Sequence, residues 1–230
     1  MILTKKNLLF IGVSGGIGQK LINYFDKYNV IGHYHKNKPS KPSHLFYADI
    51  TNFQEVEKMV EEIIKEFGTI DILINSAGIS IDSFSHKFNS GIWRRVIEVN
   101  LIGVFNVTRA VLPYMREANY GRIINMSSVV GQKPIIGTSA YSASKSGLSG
   151  FARTVAIENI SKGITCNNIA LGYFEAGLMY KLPEEMQSKI IESIPIKRLG
   201  TIKELRDTIE FIIGTEYFTG QTLNLNGGLV

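Results

Sequence analysis

Two side chains four residues apart carry the clearest chemistry in the chain: Tyr141 and Lys145, in Tyr141-Ser142-Ala143-Ser144-Lys145. Residues at that spacing share one face of a helix. A lysine ammonium within ~4–6 Å of a phenol favours the phenolate and lowers the ordinary tyrosine pKa of about 10. Such a phenol gives and takes a proton nearer neutrality, which is general acid–base chemistry. The spacing alone is weak evidence, since Tyr34 and Lys38 repeat it, although Pro39 denies them a shared helix. Upstream of Tyr141, Gly121-Arg122-Ile123-Ile124-Asn125-Met126-Ser127-Ser128 is an apolar run ending in hydroxyls. Those hydroxyls read equally as strand-end caps or as donors to a substrate oxygen.

A second pattern is Gly12-Val13-Ser14-Gly15-Gly16-Ile17-Gly18, between an apolar run and a helical pattern with Leu21, Ile22, Phe25 and Tyr28 on one side. Glycines at a strand-to-helix turn let the backbone approach a pyrophosphate, whose charge then lies at a helix N-terminus. The spacing is G-x-x-x-G-x-G rather than G-x-G-x-x-G, and a plain tight turn also satisfies it.

Positioning these residues requires a sheet. Residues 8–13, 30–34, 45–48, 70–74, 122–126, 165–170 and 222–225 read as strands, mostly continuous apolar runs as expected when both faces are buried. Helical patterns lie between them: Val56, Met59, Val60, Ile63, Ile64 and Phe67, then Ile202, Leu205, Ile209, Ile212 and Ile213. Thr51 with Gln54, and Thr201 with Glu204, have capping-box spacing. The alternation predicts an α/β fold, a doubly wound Rossmann-type parallel sheet of about seven strands in a single domain, residues 1–230. A cofactor-binding half, about 1–120, precedes a catalytic and substrate half, about 121–230. Pro39 and Pro42 make the crossover after the second strand a bare loop, although parallel crossovers normally carry a helix.

Composition closes off other classes. The 230 residues are 44% hydrophobic and 20% charged, with mean hydropathy +0.07, which is globular. Cys166 is the only cysteine, so no intrachain disulfide and no Cys-rich metal site is expected, and no metal is assigned. No stretch reads as a bilayer span or a signal peptide, so a cytoplasmic protein with no membrane partner is expected. Net charge is +5 with a pI near 9.2, but the charges are dispersed and no nucleic-acid motif accompanies them. One local concentration, His33, His35, Lys36, Lys38 and Lys41, is of a size to hold a single phosphate.

Taken together, the Gly12/Gly16/Gly18 turn, Asn75-Ser76-Ala77-Gly78 after a strand, Asn100 in Val99-Asn100-Leu101, Ser128 and the Tyr141/Lys145 pair resemble the short-chain dehydrogenase/reductase family. Gly163-Ile164-Thr165 and the terminal Asn226-Gly227-Gly228 extend the resemblance over essentially the whole chain, closest to the 3-oxoacyl-acyl-carrier-protein reductases. It implies that Tyr141 is general acid toward a carbonyl, Lys145 lowers its pKa and binds the nicotinamide ribose, and Ser128 bonds the carbonyl oxygen. Asn100 would anchor a water that reloads the proton. Gly12, Ser14, Gly16, Ile17, Gly18, Asp49, Ile50, Asn75, Ala77, Gly78 and Gly172 would line the cofactor groove, with Asp49 at the adenine. Taken singly, Asn100 reads as a buried amide and Asp49 as a helix start.

Four departures qualify the match. Ile11-Gly12 replaces a Thr-Gly opening, Leu171-Gly172 replaces Pro-Gly, Ala176 stands for a threonine, and the helix after the second strand is missing. One lost hydrogen bond to the cofactor costs about 0.5–1.5 kcal/mol. With Tyr34, His35 and Lys36 ending that strand and no acid before Asp49, NADP (NADPH) is expected, with NAD as the alternative and His35 and Lys36 as phosphate contacts. The expected substrate is a small-molecule or acyl-carrier-bound ketone, most directly a 3-oxoacyl thioester. Alternatives are a sugar, steroid or biosynthetic ketone, or a non-catalytic dinucleotide sensor. An acidic acyl carrier protein would dock on Arg122, Lys162, Arg109 and Arg116. Phe174, Leu178, Met179, Leu182 and Met186, with Ile135 and Ile136, would give an apolar substrate face, and a homotetramer would use the helices carrying Tyr141 and residues 96–115.

Overall fold

The computed structural model describes residues 5–230, with the backbone alone at Leu178 and Lys181. Seven parallel strands form one sheet: β1 (Asn7–Ile11), β2 (Asn29–Tyr34), β3 (His44–Tyr47), β4 (Ile72–Asn75), β5 (Gly121–Ser128), β6 (Ile164–Leu171) and β7 (Thr222–Leu225). Their order is β3-β2-β1-β4-β5-β6-β7, so the chain reverses its direction of winding between β1 and β4. Every strand expected from the sequence is present.

Alternate residues of each strand face two separate cores. Leu9, Ile11, Leu73 and Ile123 pack under α2 (Phe53–Phe67), α4 (Gly103–Ala118) and α5 (Ser139–Asn159). Leu8, Phe10, Ile72, Ile74 and Ile124 pack on the opposite face under α1 (Gly16–Leu21) and α7 (Ile202–Gly214). Two further helices complete the chain, α3 (Ser90–Ile97) running through a π-helical segment, Glu98–Ile102, into α4, and α6 (Glu184–Ser193).

Some local expectations need correction. The helix after the glycine turn spans only Gly16–Leu21, and Ile22, Phe25 and Tyr28 reach the core from a 3₁₀ turn and loop. Asn52, not Thr51, caps α2: its side chain accepts from the Gln54 and Glu55 N–H groups and donates to Glu55. Thr51 is engaged elsewhere, by Asp49. The Thr201/Glu204 capping box of α7 is present as expected. The run Ser90–Ala118 does have the length and apolarity to cross a bilayer, and half of its most apolar window is buried, as in a core helix. The β2–β3 crossover carries no helix; Pro42 packs where a Cβ on Gly32 would stand.

Candidate active site

The carboxyl ends of the parallel strands bring the candidate residues to one edge of the sheet, where the winding reverses and ligands of this architecture bind. Gly12 follows β1, Tyr34 ends β2 and His35 follows it, Asp49 follows β3, Ala77 and Gly78 follow β4, Ser128 ends β5 and Gly172 follows β6.

The glycine turn is close-packed. Gly12 has φ +83°, and a Cβ there would lie 2.7 Å from the Ala77 backbone. A Cβ on Gly18 would meet the Gly12 carbonyl at 2.7 Å, and one on Gly16 would meet Gly177 Cα at 2.5 Å. These positions require glycine because backbone passes where side chains would be. Gly177 belongs to the segment after β6, which therefore rests on the turn, and Lys20 on α1 donates to the Glu175 carbonyl from below it.

Tyr141 and Lys145 lie on the first turns of α5, with the Lys145 ammonium 5.6 Å from the Tyr141 ring centroid. Lys145 Nζ donates to the Met126 carbonyl at 2.7 Å and faces Gly78. Burial pulls its pKa down to about 8. Tyr141 departs from expectation. Burial pushes its pKa up, the adjacent Ser128 hydroxyl works in the opposite direction, and Asp82 raises it further. Lys145 does not overcome that burial in the cofactor-free site, so the phenol holds its proton. Ser128 Oγ also accepts from the Val130 N–H at 3.4 Å. Phenol, hydroxyl and ammonium thus converge where a carbonyl oxygen can be met by donors.

Asn100 sits in the π-helical segment, an irregularity frequent at functional sites. Its Oδ1 accepts from the Ile79 N–H at 2.8 Å, and its Nδ2 donates to the Ile79 carbonyl at 2.8 Å and to Ser144 Oγ at 3.2 Å. Both donors of the amide are used, so the side chain ties the loop after β4 to α5. A water here would need the second lone pair of Oδ1 or a backbone carbonyl.

Other residues are placed differently from expectation. Asn75 is the last residue of β4, and its side chain donates inward to Asn125 and Thr108 rather than into the groove. Ile50 is buried against Gly103. Ser14 and Ile17 lie on the turn, partly buried. Asp49 is tied down: Oδ1 accepts from the Thr51 N–H and hydroxyl at 3.0 and 2.8 Å, and Oδ2 lies 3.3 Å from Arg95 and 3.7 Å from His35. Burial raises the Asp49 carboxyl, but the bonds from Thr51 and Arg95 prevail and hold its pKa below the usual range. His35 therefore faces a carboxylate, while Lys36 is exposed beside it.

The basic cluster loses His33, which is 2% exposed: its Nδ1 accepts from the Gly12 N–H at 3.2 Å and its Nε2 contacts the Ala48 carbonyl at 2.9 Å. Its place inside the strand expected over residues 30–34 was the signal of this burial, which grouping it with the basic residues that follow passed over. The carrier face fares no better. Arg122 is 2% exposed, stacked on Tyr120, bonded to three carbonyls and paired with Glu216. Arg116 and Lys162 lie beside it at the amino ends of β5 and β6, opposite the site, and Arg109 stacks on Phe53. In the segment after β6, Phe174 and Met179 are buried in place rather than facing substrate, and the Leu178 side chain lies outside the described residues. Ile136 is 82% exposed in the loop before α5, with Ile135 beside it and Met186 on α6 also exposed.

A glycine cradle at the switch point of a doubly wound sheet, beside a phenol–ammonium pair, defines a nicotinamide-nucleotide-dependent oxidoreductase. The short chain dehydrogenase family model matches residues 6–187, and the chain belongs to that family. It is 43% identical over 187 residues to an acetoacetyl-CoA reductase of Allochromatium vinosum, covering 80% of this chain and 76% of that protein. It is 33% identical to the 3-oxoacyl-[acyl-carrier-protein] reductase FabG of Staphylococcus epidermidis, covering 97% of this chain and 98% of that one. The ligand-free aldohexose dehydrogenase of Thermoplasma acidophilum superposes with a TM-score of 0.91 at 27% identity, over 99% of this chain and 94% of the other. The close-packed glycine turn and the inward-facing Lys145 fit a dinucleotide, which supplies hydride to or accepts it from a substrate carbon.

Proposed function

We propose that the protein reduces a 3-oxoacyl thioester to the 3-hydroxyacyl thioester, using NADPH. The observation that carries this reading is the convergence of Ser128, Tyr141 and Lys145 in a chain similar over almost its whole length to a 3-oxoacyl-[acyl-carrier-protein] reductase. Tyr141, protonated in the cofactor-free site, donates to the substrate oxygen, and Ser128 bonds the same oxygen. Lys145 binds the nicotinamide ribose and supplies positive charge beside Tyr141. Asn100 holds the loop through which the proton is replenished.

Cofactor choice rests on the end of β2, where Tyr34, His35 and Lys36 include no acid to hold free ribose hydroxyls. With His35 turned to Asp49, Lys36 is the main phosphate contact. A single exposed lysine gives at most roughly fivefold preference for NADPH over NADH, weakening with salt. Carrier-bound and coenzyme-bound thioesters both fit this reading, with the carrier approaching the carboxyl end of the sheet rather than Arg122. Oxidation of a sugar hydroxyl is the second reading. It is favoured by the Asp82 carboxylate beside Tyr141 and Tyr173, a polar lining suited to hydroxyl groups.

The test is NADPH oxidation with acetoacetyl-CoA, run beside NADP⁺ reduction with aldohexoses. Turnover of the thioester that Tyr141→Phe lowers by about 10²–10⁴, with cofactor affinity kept, supports the reading. Turnover of aldohexoses alone sinks it.

A further inference from the structure

We propose that His33 is a positioning residue of the cofactor groove: its neutral imidazole joins the glycine turn to the chain after β3, and its protonation releases the nucleotide. The proposal rests on the groove being the dinucleotide site. His33 lies on β2, between the two walls that must hold an adenosine diphosphate. Toward the glycine turn, its Nδ1 accepts from the Gly12 N–H at 3.2 Å; toward β3, its Nε2 lies 2.9 Å from the Ala48 carbonyl, one residue before Asp49.

These partners select one chemical form. Gly12 offers only a donor and Ala48 only an acceptor, so Nδ1 is bare and Nε2 carries the proton. An imidazolium would aim a second N–H at the Gly12 N–H, donor against donor. The turn has no room to adjust, because Gly12 at φ +83° is already packed on the Ala77 backbone. The sequence lacks a hydroxyl at Ile11 to brace this turn, and the histidine brace comes instead from the neighbouring strand.

Two titratable groups face the ring: Asp49 from the chain after β3, and His35 just after β2. Asp49 favours the imidazolium but is shared with Thr51, Arg95 and His35. Burial is the larger influence and keeps His33 neutral, with its pKa below the ordinary imidazole value. Acid below that ordinary range therefore breaks the Gly12 bond and opens the turn.

The experiment is calorimetric titration of the full chain with NAD⁺ and with NADP⁺ between about pH 8 and pH 5, joined to ¹⁵N imidazole spectra of the cofactor-free protein. The spectra should show His33 as the Nε2–H tautomer. Affinity for both nucleotides should hold from pH 8 down to about the ordinary imidazole value and fall together below it. His33→Asn keeps an acceptor for Gly12 without titrating, so it should bind within about threefold of the unaltered protein at pH 8 and stay flat in acid. His35→Asn should keep the fall. The same fall in His33→Asn, a flat profile in the unaltered protein, or an Nδ1–H tautomer overturns the proposal. A fall confined to NADP⁺ reports its 2′-phosphate and also overturns it. Absence of any binding at pH 8 would instead defeat the dinucleotide reading of the groove itself. Should His33→Asn fail to fold, the tautomer and the two-nucleotide profile still decide.

Discussion

Lys145 stores a folding cost in the site that uses it. Its pKa falls from 10.5 to about 8 on burial, so the folded protein binds this proton less tightly than the unfolded chain. Between those values the unfolded state holds more protons, and stability rises with pH. Below pH 8 the folded state carries the full penalty, about 3 kcal/mol for a shift of that size. Lys145→Met should therefore stabilise the cofactor-free protein at neutral pH by about 1–2 kcal/mol after loss of the bond to Met126, while abolishing turnover. The gain should vanish toward pH 10.5, a trend that urea denaturation can follow and that a pH-independent gain would contradict. Arg122 is the reverse case, a cation held for structure. Replacing it by Met strips donors from the Ile213, Gly121 and Gly163 carbonyls and should cost about 2–4 kcal/mol. Glu216, 81% exposed, simply returns to water, so unchanged denaturation midpoints would refute this accounting. Arg122 opens the strand expected over residues 122–126, but its charge disguised the burial that its apolar neighbours Ile123 and Ile124 imply.

At the scale of elements, the polar content of the central strands is a connected ladder. Asn75 on β4 donates to Asn125 on β5 at 2.9 Å, and Asn125 donates to Asn168 on β6 at 3.0 Å. Asn168 then reaches the Leu148 carbonyl on α5 and Thr222 on β7. The strand register places these asparagines side by side. Asn125→Val breaks the middle rung and leaves buried amides on both sides, costing about 2–4 kcal/mol. Valine at all three positions leaves no stranded amide there, so it should cost less than the sum of the single changes. Strict additivity in denaturation would show that the rungs act independently. Strand existence and order of types were legible, because short continuous apolar runs such as residues 8–10 alternate along the chain with helical patterns. The ladder was not, because hydrophobic periodicity carries no record of which strands become neighbours. Caps shifted by one residue for a similar reason: Thr51 and Asn52 are both good caps, and the pull of Asp49 on Thr51 exists only in three dimensions. The places of Tyr141 and Lys145 on one helix and of Ser128 at a strand end were legible because helix spacing and strand ends fix them locally, whereas their roles came only from the family resemblance. The partners of His33 and Asn75 were not legible, since both depend on contacts across strands.

On the scale of the whole molecule, the outer face of α4 and α5 carries several exposed apolar side chains beside Arg109 and Arg153. Ile102, ending the π-helical segment, and Phe105 on α4 are exposed, and Ile157 on α5 is 78% exposed, with Phe105 stacked edge-on against Phe151. Small residues, Ala143, Ser146 and Gly150, line the adjacent exposed stripe of α5, which lets a facing helix approach closely. We propose that a second copy covers this face and that two such pairs form the homotetramer. Stable interfaces of this kind bury on the order of 1,200–2,000 Å² in total, enough to hold protomers together at micromolar concentration. Light scattering should then give a mass about four times the 25.6 kDa protomer. Phe105→Glu with Ile157→Glu would place carboxylates in an apolar contact, and should halve that mass or reduce it to the protomer. Because α5 carries Tyr141 and Lys145 on its opposite side, loosening it should lower kcat several-fold more than it weakens cofactor binding. A protomer-sized mass for the unaltered protein removes the proposal, as does a double variant that stays tetrameric, since no apolar contact between copies would then run through this face.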